Sequence, residues 1–143
     1  MDDAYAFAIG DPPAGGYGSW QPPPSVIDWA PAIRGILQDL AAGTPTGVVA
    51  ARFHNTLVAI IVATAGIVGE ERVVLTGGCF QNRYLTERAV SRLRQAGFRP
   101  YWHQRVPPND GGIALGQIAA YLRSRPLEAS MQSDRETALP LGR

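Results

Sequence analysis

The sequence of 143 residues predicts an α/β fold in which two helices precede a β-α-β-α pattern. Three observations support this prediction. A short β-favouring apolar run, Val73-Val74-Leu75, breaks at two glycines, Gly77 and Gly78, and is followed by a helical pattern. A second junction of this kind lies at residues 107–112, ahead of another helical pattern. Upstream, residues 46–69 have apolar side chains around the whole helical projection, as expected for a helix that is buried on most sides.

Composition favours one domain and excludes several classes of function. A hydrophobic content of 45% is enough to build one core in a chain of this size. The 13 basic residues are balanced by 12 acidic residues, which leaves no basic field, so we expect no nucleic-acid partner. The single cysteine, Cys79, allows neither an intrachain disulfide nor a cysteine-based metal cluster.

The sequence shows no pattern typical of export or of a membrane span. Its acidic start, Met1-Asp2-Asp3, lacks the basic and apolar regions of a signal peptide, so we expect a cytoplasmic protein. The most apolar window, residues 57–68, is about a dozen residues long, whereas a spanning helix needs about 20. We therefore expect no membrane partner.

The first helix is predicted to follow a lead-in at residues 1–24, which is rich in proline and glycine and should be mostly irregular. Ser25 or Asp28 can cap this helix, and Gly43 ends it. Its apolar residues recur at helical spacing: Ile33, Ile36, Leu37 and Leu40. After a turn, the central helix occupies residues 46–69.

Strands at 72–76 and 99–103 then alternate with helices at 80–96 and 112–124, and we expect the two strands to be parallel neighbours. The helix at 80–96 is amphipathic and ends at Gly97. Its inward positions are Leu85, Ala89, Val90 and Leu93. Residues 25–125 thus form the folded lobe, and the polar, aperiodic residues 126–143 are predicted to be a disordered tail.

The predicted sheet is thin, because two parallel strands can neither bury both faces nor satisfy both edges. Two explanations stay open at this point. Either part of residues 4–20 pairs with these strands, or the chain is a piece of something larger.

The turn at Gly77 and Gly78 is the first candidate site. Glycines let a backbone turn tightly and approach a ligand closely, and we expect a positive φ at Gly78. The helix that follows offers free N–H groups to an anion such as a phosphate. An ordinary strand-to-helix turn explains the glycines equally well. Asn82, expected in the first helical turn, can reach back to a ligand, while Gln81 can cap the helix instead.

Asp110 precedes Gly111 and Gly112 at the start of the last predicted helix, where an aspartate most often serves as the N-cap. The prolines and glycines around this carboxylate also fix its direction and leave room in front of it, as a metal ligand requires. On spacing alone, the capping role is favoured.

His54 belongs to a polar triplet, His54-Asn55-Thr56, in the otherwise apolar central helix. A histidine on a buried helix is most often a satisfied core residue, but three adjacent polar groups wind around the helix, so we expect one of them to face a cleft. His103 ends the second strand and is the weaker candidate, because no third ligand and no metal-binding spacing accompanies the two histidines. Cys79 is expected to be a small buried residue behind the glycine turn rather than a reactive thiol.

Three motifs, in order, give the chain a specific resemblance. They are Phe53-His54-Asn55-Thr56, Leu75-Thr76-Gly77-Gly78-Cys79-Phe80-Gln81-Asn82-Arg83-Tyr84-Leu85 and Val106-Pro107-Pro108-Asn109-Asp110-Gly111-Gly112-Ile113-Ala114-Leu115-Gly116-Gln117. Together they closely resemble the carboxy-terminal part of the hydrogenase-maturation carbamoyltransferases, the HypF family, over roughly residues 1–123. The related tRNA threonylcarbamoyladenosine synthases usually differ after the double glycine and place Asn-Gly after the aspartate, so both loops favour HypF.

The resemblance implies a fold, an activity and a set of site residues. The fold would be part of one lobe of the two-lobed actin/sugar-kinase/Hsp70-like (ASKHA) architecture, which holds nucleotide and metal between its lobes. The activity would use ATP and carbamoyl phosphate to carbamoylate the carboxy-terminal cysteine of a partner protein in nickel–iron hydrogenase maturation. By resemblance, the catalytic residue is His54, the metal ligand is Asp110, and the nucleotide-binding residues are Gly77, Gly78, Gln81, Asn82, Gly111 and Gly112.

The resemblance also implies that part of the site lies elsewhere. A complete member of the family has further domains and a first lobe with paired histidine ligands, so we expect the other ligands of a divalent metal (zinc, iron or magnesium) to lie outside this chain. Our first hypothesis is a carbamoyltransferase half-site that is inactive without its missing lobe. A non-catalytic interaction module or truncated remnant is the second hypothesis, and a tRNA-modifying subunit is a less favoured third.

Overall fold

The computed structural model describes residues 3–11 and 25–124, and within them it has four strands, four α-helices and two short 3₁₀ turns, Gly78–Gln81 and Asp110–Gly112. Two short strands come first, β1 at Ala8–Gly10 and β2 at Val26–Asp28. The helices α1 at Ala30–Ala41 and α2 at Thr46–Val68 follow. The series then continues with β3 at Arg72–Leu75, α3 at Arg83–Gln95, β4 at Arg99–Trp102 and α4 at Ile113–Ser124. The predicted order of two helices and a β-α-β-α pattern is confirmed.

The sequence does not indicate the first two strands, since its proline and glycine content predicts a mostly irregular lead-in. They pair in antiparallel fashion, with Ile9 opposite Ile27, and form a sheet of their own. Strands of three residues are too short to show alternation, so composition dominated the prediction. The described part of the lead-in therefore does not pair with β3 or β4. Residues 12–24 and the predicted tail lie outside the described residues.

The core lies between α2, α3 and one face of the sheet formed by β3 and β4. Leu93 and Ala89 of α3 are fully buried, and they belong to one cluster with Val58 of α2 and Leu75 of β3. All four inward positions predicted for α3 are buried. The amphipathic pattern was therefore interpreted correctly, because this helix packs against both the sheet and α2.

The β3–β4 sheet is parallel, as predicted, with Arg72 opposite Arg99 and Leu75 opposite Trp102. In the described part of the chain this sheet has two strands. The face away from the core carries Val74 and Tyr101, whose residues are 67% and 48% exposed. The described residues thus cover one face of the sheet and leave apolar side chains on the other.

The central helix α2 ends at Gly69 in the left-handed conformation, at φ 75°, as predicted for a glycine stop. It is less buried than predicted, since Phe53, Ile67 and Val68 are exposed. By length and composition α2 could cross a membrane, a criterion that core helices of soluble proteins also meet. The apolar window considered in the sequence was shorter because it began at residue 57, whereas the helix begins at Thr46.

The amino-terminal segment is attached to α1 and α2 by polar contacts. The backbone N–H of Tyr5 donates to Thr56 Oγ1 at 2.8 Å, and its hydroxyl donates to Asp39 Oδ2 at 2.7 Å. Arg52 donates to the same carboxylate at 2.8 and 3.0 Å. The hydrogen bonds from Tyr5 and Arg52 hold the pKa of Asp39 below its usual value. Burial and the neighbouring Asp39 raise the pKa of Tyr5.

The helix α1 leaves most of its apolar residues exposed. Its N-cap is Trp29, which makes no side-chain capping bond, rather than the predicted Ser25 or Asp28, although Oδ1 of Asp28 accepts from the N–H of Ala30 at 2.9 Å. Ala32 is its buried residue, and of the apolar residues that recur at helical spacing, Ile36 is half-buried while Ile33, Leu37 and Leu40 are exposed. Most of the apolar stripe of α1 is therefore uncovered within the described residues.

Candidate functional site

Two loops meet at the carboxyl ends of β3 and β4. The glycine turn follows β3, and the loop that contains Asp110 follows β4. The backbone N–H of Gly77 donates to the carbonyl of Pro108 at 2.8 Å, and a Cβ placed on Gly78 would lie 4.0 Å from Cβ of Asn109. The two sequence motifs thus form one surface, at the strand ends where open α/β sheets bind ligands.

The glycine turn depends on Gly77 more than on Gly78. Gly77 has φ 102° and ψ 159°, a conformation that side chains rarely adopt, whereas Gly78 begins a 3₁₀ turn with an ordinary φ. The expectation of a positive φ at Gly78 is therefore wrong by one residue, because the chain reverses direction before the 3₁₀ turn begins. At Gly78 the space that a side chain would occupy is open, since a Cβ there would meet no atom closer than 4.0 Å.

Asn82 is the N-cap of α3 rather than a member of its first turn. The predicted helix start at residue 80 is occupied by the 3₁₀ turn Gly78–Gln81, and α3 begins at Arg83. The Oδ1 atom of Asn82 accepts from the N–H of Leu85 at 3.0 Å. Asparagine is a strong N-cap residue, so the alternative that Gln81 caps the helix is wrong.

His54 lies beside this cap. Its Nε2 is 2.9 Å from Nδ2 of Asn82, and its Nδ1 is 2.8 Å from the carbonyl oxygen of Ala50. The rings of Phe53 and Tyr84 contact the imidazole edge-on, each with centroids 5.6 Å from it. The structure thus brings together two predicted site residues that are 28 positions apart. No periodic signal in the sequence could have paired them.

The carboxylate of Asp110 has no bonding partner in the described part of the chain. The capping contact predicted for it is made by Asn109, whose Oδ1 accepts from the N–H of Gly111 at 3.1 Å. Asp110 is exposed, and its side chain makes no hydrogen bond or ion pair with residues 3–11 or 25–124. The interpretation of Asp110 as a helix cap is therefore wrong. Its carboxylate is available to bind a group from outside the described residues.

Gly112 has a structural reason to be glycine. A Cβ at this position would lie 2.9 Å from the carbonyl oxygen of Pro107 and 3.3 Å from the side chain of Val106. The loop packs against its own start at this point. Gly112 therefore shapes the loop, whether or not it also touches a ligand.

Two further predicted residues lie near the same edge. Nε2 of His103 is 3.1 Å from Oγ1 of Thr76, a contact between the ends of β4 and β3 that the sequence did not indicate. Cys79 is exposed, so the prediction of a buried residue behind the turn is wrong. The 3₁₀ turn points its second residue outward, and the space behind the turn is filled by Phe80, which packs on the core.

The geometry suits an anion and a cation held together. The first N–H groups of a helical turn have no partner within it, so the start of the 3₁₀ turn presents donors next to an open glycine. An exposed carboxylate on the neighbouring loop can bind a cation. Within the described ranges, however, no group of three or more histidine, cysteine, aspartate or glutamate residues could hold a metal. Asp110 can therefore supply one ligand of a metal site whose other ligands come from elsewhere.

The chain matches the family described as carbamoyltransferase, Kae1-like domain, second subdomain, over residues 3–117. It is 42% identical over 99 residues to carbamoyltransferase HypF of Synechocystis sp., a match that covers 69% of this chain and 13% of that protein. It is 37% identical over 132 residues to HypF of Rhizobium leguminosarum bv. viciae, covering 87% of this chain and 16% of that relative.

A solved structure, full-length HypF in a phosphate- and nucleotide-bound form, has the same fold in this region. Its TM-score is 0.71 at 34% sequence identity, and the alignment covers 87% of this chain and 16% of that one. The chain thus spans about a sixth or less of the relatives that it matches. On the family match and the identities together, the chain belongs to the HypF carbamoyltransferase family, as a Kae1-like second subdomain.

Proposed function

We propose that this chain provides the nucleotide-facing half of a carbamoyltransferase active site, in the ASKHA-type arrangement of two lobes around a cleft. The enzyme would use ATP and carbamoyl phosphate, and it would pass the carbamoyl group to the carboxy-terminal cysteine of a hydrogenase-maturation protein. The single observation that carries the proposal is the contact between the glycine turn and the Asp110 loop through Gly77 and Pro108.

The residues of this surface fit the parts of a metal-bound nucleotide. Gly78 offers an open side to a phosphate, and the donors at the start of the 3₁₀ turn complement its negative charge. Asp110 would contribute a carboxylate to the divalent metal that accompanies the phosphates. Gln81 and Gly111 border the same two loops and are candidates for further nucleotide contacts. Bound ATP would supply the adenylyl group that activates the carbamoyl group of carbamoyl phosphate, while these residues hold the ATP phosphates in place.

The partner that the proposal requires is the missing lobe. The helix α4 packs against its own preceding loop and has no buried residue, and its large apolar residues are all exposed. They are Ile113, Leu115, Ile118, Tyr121 and Leu122. Soluble monomers rarely expose continuous apolar patches, so this surface supports an obligate partner, on the same polypeptide or on another. The metal identity and the cytoplasmic location stay predictions.

A chimera would test the proposed function. Synechocystis HypF, with its matching 99-residue region replaced by the corresponding region of this chain, should retain ATP- and carbamoyl phosphate-dependent transfer to an acceptor cysteine. The same chimera with Gly78→Val should lose nucleotide binding, because the added side chain fills the open side of the turn. A folded chimera that binds no ATP would overturn the proposal.

The exposed apolar surface also favours a second candidate, a non-catalytic interaction module. Both candidates expect binding to a complementary lobe, and they differ in nucleotide binding. A complex that forms with the lobe but leaves ATP unbound would favour the interaction module.

A further inference from the structure

His54 and Asn82 join two separate elements, and their hydrogen bonds define the protonation of the imidazole. Nδ1 of His54 is 2.8 Å from the carbonyl oxygen of Ala50, which can only accept, so Nδ1 carries the hydrogen. Nε2 is 2.9 Å from the amide nitrogen of Asn82, which can only donate, so Nε2 accepts. The imidazole is therefore neutral in this geometry.

The orientation of the Asn82 amide is fixed by a separate contact. Its oxygen accepts from the N–H of Leu85 at 3.0 Å as the N-cap of α3, so its nitrogen must face His54. One amide thus makes two bonds in opposite directions. The bond to Leu85 anchors the start of α3, and the bond to His54 anchors that start to α2.

Aromatic contacts restrict the imidazole to this position. The rings of Phe53 and Tyr84 contact it at interplanar angles of 83° and 85°. Tyr84 is in turn attached to α2, since its hydroxyl donates to Oδ1 of Asn55 at 3.3 Å. The imidazole cannot rotate away from Asn82 without disturbing these contacts.

Asn82 also completes the glycine turn. Its backbone N–H donates to the carbonyl of Cys79 at 3.1 Å and so closes the 3₁₀ turn that begins at Gly78. The other side of the turn is fixed by the bond between Gly77 and Pro108. His54 is therefore one hydrogen bond away from the residue that sets the shape of the proposed phosphate site. Both ring nitrogens are occupied by these two bonds, and the catalytic role that the family resemblance implies for His54 stays a prediction.

Protonation of His54 would turn Nε2 into a donor that faces the donor end of the Asn82 amide. Either that bond breaks, or the amide flips and the cap on Leu85 is lost. The ring contacts of the imidazole include one titratable group, the Tyr84 phenol of α3, and Arg88 of the same helix lies 5.3 Å from the Tyr84 ring. On α2, Arg52 is paired with Asp39 of α1 and with Asp3 of the amino-terminal segment.

We propose that His54 is a positioning residue whose neutral imidazole holds the Asn82 amide, and with it the glycine turn, in the nucleotide-binding geometry, and that gain of a proton releases them. The consequence for nucleotide affinity rests on the proposed function of the site. The loss of the bond itself can be measured without any nucleotide.

The chain has only two histidines, so the titration can be followed residue by residue with NMR on the full chain. As His54 gains a proton, the side-chain amide of Asn82 and the N–H of Leu85 should shift together with the His54 ring. His54→Gln keeps an uncharged acceptor opposite Asn82, so its signals should stay constant. His103→Gln, the matched control, should behave like the wild type.

Signals of Asn82 and Leu85 that ignore the His54 titration in the wild type would overturn the proposal, as would a pH-dependent shift that persists in His54→Gln. A second readout is the ATP affinity of the folded chimera. Its dissociation constant should rise about five-fold on acidification, the ratio for loss of one neutral hydrogen bond, and the rise should be absent in His54→Gln. If ATP binds at no pH, the proposed function fails, while the NMR titration still decides the role of His54.

Discussion

The helices α3 and α4 each follow a strand of the parallel sheet and have 13 and 12 residues, yet one is part of the core and the other is not. In α3, Leu85, Ala89 and Leu93 are buried against α2 and the sheet. In α4 every described residue is exposed, although the helix is the more apolar of the two. Apolar character therefore shows that a helix needs a partner, and it does not show where that partner is.

Truncation of a buried side chain of α3 should change the free energy of unfolding more than any other substitution considered below. Leu93→Ala removes a fully buried side chain and should lower the free energy of unfolding by about 2–5 kcal/mol. Ile118→Ala in α4 removes a side chain that is 57% exposed and should change it by less than about 0.5 kcal/mol. Urea unfolding of the isolated chain measures both. Equal losses in the two variants would show that α4 is packed in solution.

Substitution of each glycine of the turn should distinguish backbone strain at Gly77 from open space for a ligand at Gly78. Gly77→Ala forces a side chain into a conformation that only glycine adopts readily, so it should cost about 1–3 kcal/mol. Gly78→Ala adds a methyl group in open space and should stay within about 0.5 kcal/mol. Thermal unfolding compares the two variants. A destabilised Gly78→Ala with an unaffected Gly77→Ala would contradict this account of the turn.

Loss of the α3 cap should have a smaller effect. Asn82→Ala removes the bond to Leu85 and should reduce stability by about 1 kcal/mol, the usual value for an N-cap. Gln81→Ala, at the neighbouring position, is the control and should be close to neutral. The midpoints of chemical unfolding of the two variants measure this difference. A larger loss in Gln81→Ala than in Asn82→Ala would identify Gln81 as the cap.

The sequence correctly predicted the elements that pack against other elements of this chain. The helix α3 and the parallel pair β3–β4 were correct because the inward residues of α3 meet the neighbours that periodicity assumes. The apolar residues of α1, which include Leu37 and Leu40, recur at helical spacing, but periodicity cannot say whether an element that covers them is present. The hairpin of β1 and β2 was too short to leave a pattern.

In the candidate site, spacing located both loops but assigned several roles to the wrong neighbour. The positive φ is at Gly77 instead of Gly78, and the caps are Asn82 and Asn109 instead of Gln81 and Asp110. Such one-residue shifts depend on where a turn begins, which local sequence does not determine. The bond from His54 to Asn82 depends on how α2 packs against α3, and only the folded chain shows it.

The amino-terminal segment should make a small contribution to the pH dependence of stability, through Asp39. Hydrogen bonds from Tyr5 and Arg52 lower the pKa of Asp39 in the folded state, so this carboxylate stabilises the fold above its unfolded pKa of about 3.9. That stability should be lost as the pH falls through the lower, folded value. Asp39→Asn should therefore flatten the acid side of the stability curve.

The control for this measurement is Glu87→Gln. Its carboxylate pairs with Arg83 on the exposed side of α3, where ion pairs contribute little. Acid unfolding followed by circular dichroism should be unchanged in this variant. An Asp39→Asn curve that overlays the wild type below pH 4 would show that the amino-terminal segment is attached by other contacts.

The proposed contact between Asp110 and a metal-bound nucleotide can be measured by calorimetric titration of the folded chimera with ATP and a divalent metal. Asp110→Ala should abolish the metal-dependent part of ATP binding without destabilising the fold, because Asn109 makes the capping contact. The matched variant Asn109→Ala should do the opposite, with a small loss of stability and metal-dependent binding retained. Unchanged metal-dependent ATP affinity in Asp110→Ala would contradict the account.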